Sequence, residues 1–197
     1  MTMRNFILFC LLLNVLIACN NNKGKGPGSE ATKSDSAQGT MPANEADAIQ
    51  KTMEQMKQLK PFNADQVKAL FPQELAGMKQ SGYTPGNNEG YETGEARYDS
   101  TDGKALDVTV FDCAGEAGAG KYNIMYVGYL NTEAGDDNGY KKSIRFNGDK
   151  AIESYDKKQN RYSILFLSGN RLLVNVEGEN MGLDEVKQSA SNLNLKQ

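Results

Sequence analysis

Apolar residues are spread unevenly along this chain, and their spacing changes three times. Residues Phe6 to Ala18 are almost all apolar, whereas Asn20 to Ala43 carry no strong aliphatic or aromatic residue before Met41. A helical period follows. Ile49, Met53 and Met56 recur at spacings of four and three, with Asn44 as a cap, Asp47 completing part of a capping box, and Pro61 as a stop. Asn63 caps a second, short helix whose apolar side is Val67, Leu70 and Phe71, ended by Pro72.

Beyond Tyr83 the period shortens to that of strands. Glu92 to Asp99 reads as a weak strand and Ser100-Thr101-Asp102-Gly103 as a turn. In Lys104 to Cys113, Leu106, Val108 and Val110 share one face while Phe111 and Cys113 occupy the other, so this strand is expected to be covered on both sides. Lys121 to Thr132 reads as a helix through Ile124, Met125, Val127 and Leu130. Four further strands are expected at 143–146, 150–155, 161–168 and 171–177, the last two joined by a Gly169-Asn170 hairpin turn. Leu183, Val186, Ala190 and Leu193 form a closing amphipathic helix. This order predicts an α+β fold, an antiparallel β-sheet of about six strands with helices packed on one face.

The first apolar stretch has a different meaning. Its 13 residues, preceded by Arg4 and Asn5, would span roughly 20 Å as a helix. A bilayer core needs about 20 residues, so length and charge order fit a cleavable secretory signal. Its end, Leu16-Ile17-Ala18-Cys19, resembles the lipobox of bacterial lipoproteins. That resemblance implies cleavage before Cys19, a diacylglyceryl thioether on its sulfur, and often a third acyl chain on the new amine. Several chains are needed because each buried CH2 contributes only about 0.8 kcal/mol and a single chain binds marginally. Asn20, where inner-membrane retention would place Asp, implies the outer membrane. The absence of an acidic run after the cysteine implies its periplasmic face. Three regions result: a signal peptide over 1–18, the lipidated cysteine and a disordered tether over 19–43, and one α+β domain over 44–197. The tether is too polar to offset its ordering entropy and has a reach of roughly 25–30 Å. Its expected task is spacing the domain off the bilayer, the alternative being a disordered ligand-binding tail. From Phe71-Pro72-Gln73-Glu74-Leu75 onward, the chain loosely resembles uncharacterised bacterial envelope proteins with the same element order, a likeness that implies no known activity.

Composition then removes several chemistries. Cleavage takes Arg4 away and leaves 21 basic against 25 acidic side chains, which disfavours nucleic acid as a partner. The sequence has no histidine, so Ser-His-Asp and Cys-His catalysis and His-ligated zinc are excluded. With Cys10 in the leader and Cys19 acylated, Cys113 is the one free thiol. It is read as buried and inert, because nothing of histidine type can activate it. Tryptophan is absent as well, which weakens any case for stacking on sugars.

Four motifs invite function. Gly115-Glu116-Ala117-Gly118-Ala119-Gly120-Lys121 has the Gly-x4-Gly-Lys spacing of a phosphate loop, but Tyr122 stands where a Mg²⁺-binding Ser or Thr is needed. It is read as a flexible strand-to-helix loop, with no nucleotide expected. Asp99 with Asp102, and Asp136-Asp137-Asn138-Gly139, lack calcium-loop spacing and read as turns. Met53 and Met56 are thioethers that would suit Cu(I), but at helical spacing they read as core. All nine tyrosines lie between Tyr83 and Tyr162, and Tyr122, Tyr126 and Tyr129 follow helical spacing, giving a candidate aromatic partner-binding face.

No catalytic, cofactor or metal residue is assigned. The expectation is a non-enzymatic binding or accessory module, held to the membrane by lipid and meeting an envelope protein or small-molecule ligand. The competing expectations are a small His-independent hydrolase or transferase and a structural envelope-integrity protein.

Overall fold

The apolar alternation of the C-terminal strands decides the architecture. A computed structural model describes residues 37–38, 41–88 and 90–195; the expected leader, Cys19 and most of the expected tether lie outside the described residues. Its strands are β1 (Ala37–Gln38), β2 (Glu74–Leu75), β3 (Met78–Asn88), β4 (Tyr91–Asp99), β5 (Ala105–Asp112), β6 (Thr132–Asp136), β7 (Gly139–Phe146), β8 (Asp149–Asp156), β9 (Arg161–Ser168) and β10 (Leu172–Glu179). They form a single antiparallel sheet in the order β1-β6-β7-β8-β9-β10-β5-β4-β3-β2. Two meanders, β2–β5 and β6–β10, therefore meet at the β5–β10 seam, where Val110 faces Val174 and Val108 faces Val176. The described helices are α1 (Ala43–Gln58), α2 (Ala64–Ala69), α3 (Gly115–Met125) and α4 (Leu183–Asn192), with a 3-10 turn at Val127–Tyr129.

The α+β class and antiparallel pairing agree with the sequence reading; strand number and helix placement do not. One core joins Leu106, Val108, Val110, Leu172, Val174 and Val176 to Val67 of α2 and to Val186 and Ala190 of α4. A second core, on the opposite face, joins Leu173, Ile152 and Cys113 to Met56 of α1 and to Ala119 and Tyr122 of α3. Helices thus cover both faces. The physical reason is that β9 and β10 are apolar on both sides at one end, through Leu165, Leu167 and Leu173, so two apolar surfaces need cover. At the other end the second face is polar. There Arg97 pairs with Asp99, Asp107 and Glu179, and Arg161 pairs with Glu177, Glu179 and Asp107.

Three strands escape the pattern. β3 carries Gly82, Pro85 and Gly86 and a register shift between Gln80 and Gly82. It is an outer strand, where such residues are tolerated. β6, Thr-Glu-Ala-Gly-Asp, has almost no apolar content, and β2 is only two residues long. The segment read as disordered to Ala43 instead contributes β1, which pairs with Glu133 and Thr132 at the sheet edge. Backbone hydrogen bonds alone can hold so short a strand, which no side-chain period reveals.

Helix boundaries also shift. α1 begins at Ala43, with Pro42 rather than Asn44 at the cap and no side-chain cap bond. α2 has the expected Asn63 cap, reciprocated by Gln66. Leu183 opens α4, whose Val186 and Ala190 face the first core as expected. The Gly169-Asn170 turn has both residues at positive φ, 59° and 52°, as a tight hairpin requires.

Candidate functional site

The segment resembling a phosphate loop is helical: α3 starts at Gly115, not at Lys121, and ends at Met125. Packing explains one of its glycines. A Cβ on Gly118 would lie 2.5 Å from the carbonyl carbon of Cys113 and 2.8 Å from the carbonyl oxygen of Asp112. Only a residue without a side chain lets the helix turn back this tightly onto the end of β5. Lys121 lies over the rings of Tyr91 and Phe111, at 5.7 and 5.4 Å from their centroids.

Helix α3 does not present three tyrosines together. Tyr122 and Tyr126 are buried, at 3% and 4% exposure, and only Tyr129 reaches the surface, at 38%. The expected exposed face is corrected accordingly: two phenols point into the second core because α1 packs over that side of α3. Tyr126 Oη donates to the carbonyl oxygen of Lys150. Burial raises the Tyr122 phenol to about 12 and pushes Tyr126 up as well, so both stay protonated hydrogen-bond groups at neutral pH.

Those two rings form one wall of a cavity of about 710 Å³ between α1, α3 and the β7–β8 and β9–β10 turns. Ile49, Leu130 and Leu167 supply apolar floor; Asn44, Thr52 and Asn170 add polar groups; Glu45, Arg145 and Lys150 add charge. The volume suits a small organic ligand, as does a mixed lining with a few polar groups. Lys150 Nζ lies 2.5 Å from Glu45 Oε1 and donates to Asn131 Oδ1 at 2.8 Å, fastening the first turn of α1 to β8. Glu45 also sits where the helix dipole favours an acid. Sequence reasoning missed this group. The Asn147-Gly148 turn, both residues at positive φ, was the available signal. A two-residue hairpin there makes Arg145 and Lys150 cross-strand partners, as observed.

Other reactive groups are engaged elsewhere. Cys113 is fully buried, and burial pushes its thiol up to about 12. Asp112, also fully buried, accepts from Arg171 Nε at 2.8 Å, Arg171 Nη2 at 3.0 Å and the Phe62 amide at 2.6 Å. Arg171 stacks 3.4 Å from the Phe62 ring centre and donates to the Lys60 carbonyl, clamping the α1–α2 connection. Glu153, 1% exposed, receives Lys187 at 2.7 Å, Lys142 at 3.2 Å and Tyr140 Oη at 2.8 Å. Burial alone would raise its carboxyl, but hydrogen bonds from Lys187, Tyr140 and Lys142 outweigh it and hold the group below its usual range.

The turn acids behave as turn acids. Asp136 accepts from the Asn138 amide, Asp102 from Ser100 Oγ, and Asp99 pairs with Arg97. Met56 is fully buried in the second core, with Met53 packed beside it. No helix among the described residues is long and apolar enough to cross a membrane. Comparison of the chain with protein-family models, with curated proteins and with solved structures finds no match.

Proposed function

We propose that this chain is an envelope lipoprotein, acylated on Cys19 and held at the periplasmic face of the outer membrane, whose domain is a non-enzymatic binding module. The observation that carries the binding role is the cavity of about 710 Å³ beside α1, walled by Tyr122 and Tyr126 and edged by Glu45, Arg145 and Lys150. The three buried groups best placed for histidine-free chemistry are committed to structure: Asp112 to Arg171, Glu153 to two lysines and a tyrosine, Cys113 to the core. That favours holding a ligand over transforming one. The anchoring half of the reading rests on Leu16-Ile17-Ala18-Cys19 and the polar tract after it.

The test of the cavity is native mass spectrometry of the full chain with a low-molecular-weight extract of its own envelope. A discrete bound mass is expected, and Ala48→Trp, which fills the cavity from α1, should abolish it. A chain that retains nothing, or an A48W variant that retains the same mass, overturns the reading. Anchoring is tested separately by intact-mass measurement, where Cys19→Ala should remove the fatty-acyl increment.

A further inference from the structure

The unspent groups around the cavity narrow the class of occupant, on the premise that the cavity is the binding site. Arg145 stands directly across from Lys150 in the β7–β8 hairpin, and Lys150 reaches Glu45 on α1, so both cations lie on the α1 side of the sheet. Phe146, one position on, packs in the first core, and its cross-strand partner Asp149 faces that way too. Glu45 and Lys150 satisfy each other. Arg145 is exposed and gives one nitrogen to the Gly148 carbonyl at 3.1 Å, but has no acidic partner among the described residues. One uncompensated cation therefore faces the cavity. Tyr122 adds a second open donor. The residue is 3% exposed, and its Oη has no hydrogen-bond partner among the described residues yet is not sealed off, so it opens into the cavity that it lines. Pro42 and Asn44 also line the cavity, where α1 begins without a side-chain cap and its positive end favours an anion.

We propose that the cavity takes an organic monocarboxylate with a compact aliphatic body, its carboxylate on Arg145 and its hydrocarbon on the floor of Ile49, Leu130 and Leu167. Arg presents a planar fork that matches a carboxylate in two parallel hydrogen bonds. The aliphatic floor rewards burial of hydrocarbon, and a cavity of about 710 Å³ suits a small organic molecule. Other charge types fit less well. A cation would meet Arg145 as a like charge, and the ammonium of a zwitterion would find Glu45 already taken by Lys150. A neutral hydrocarbon would cover the guanidinium and the Tyr122 hydroxyl without supplying an acceptor, and such burial is costly.

Three compounds with one eight-carbon chain separate these cases: octanoate, octanamide and octylammonium. Each is titrated into the full chain, followed by the methyl resonances of Ile49, Leu130 and Leu167. Octanoate is expected to bind most tightly, roughly tenfold better than octanamide, with octylammonium weakest. Arg145→Gln should weaken octanoate roughly tenfold and leave octanamide within about twofold. Lys141→Gln removes a cation outside the cavity and should leave all three affinities unchanged, which separates a contact at Arg145 from the general field of the protein. Equal binding of octanoate and octanamide, or an octanoate affinity indifferent to R145Q, overturns the carboxylate while leaving an apolar cavity in place. Silence at these methyls with every compound overturns the aliphatic occupant. The broader binding-module reading is decided apart from these titrations, by whether the parent holds an envelope mass that A48W loses.

Discussion

Asp112 and Arg171 join the end of β5 to the start of β10 and, through the Phe62 amide and Lys60 carbonyl, to the connection between α1 and α2. Removing the guanidinium strands a fully buried carboxylate with only backbone donors. Arg171→Ala should therefore cost about 3–5 kcal/mol in urea unfolding; a loss below about 1 kcal/mol would show that water replaces the arginine. Glu153 differs because its partners Lys142 and Lys187 are partly exposed and can turn to solvent. Its carboxyl is held low in the folded chain, so its ionised form stabilises the fold above the unfolded value, near about 4.3. That contribution fades as pH falls through the folded value. Glu153→Gln should lower stability by about 1–3 kcal/mol near neutrality and flatten the further loss on acidification. An unchanged acid slope would mean that other carboxylates set it.

Among the elements, α1 is the one whose attachment shapes the cavity. Its C-terminal half is fixed by Met56 in the second core and its first turn by the Glu45–Lys150 pair. Met56→Ala should cost about 2–5 kcal/mol and speed amide exchange along α1 more than in β5 or β10, because α1 is an outer layer. Uniform acceleration through the sheet would contradict a separately loosened helix. Elements whose side chains carry a period were readable in advance. Leu106, Val108 and Val110 marked β5, Asn63 marked the start of α2, and Gly169-Asn170 marked the last hairpin. β1, β2, β3 and β6 were not, since strands at or next to the sheet edge need little apolar alternation. α3 was misplaced because Gly115 to Gly120 read as a loop, whereas the small size of Gly118 serves close packing against Cys113.

At the scale of the whole molecule, helices on both faces leave one end of the second face as an open, charged lattice around Arg97 and Arg161, and place the cavity at the other end. No single segment of sequence carries that division. The cavity assembles Ile49, Tyr122, Lys150 and Leu167 from four separate elements, so only the tyrosines were legible beforehand, and their burial was not. The two ends also offer alternative sites of engagement, and they respond to different probes. The most direct measurement is hydrogen–deuterium exchange of the chain with and without a low-molecular-weight extract of its cells of origin. Slower exchange at 42–52 and 122–130, with β4 and the polar end of β10 unchanged, is the expected result. Protection confined to the Arg97–Arg161 lattice, or no protection anywhere, would contradict a ligand-holding cavity beneath α1.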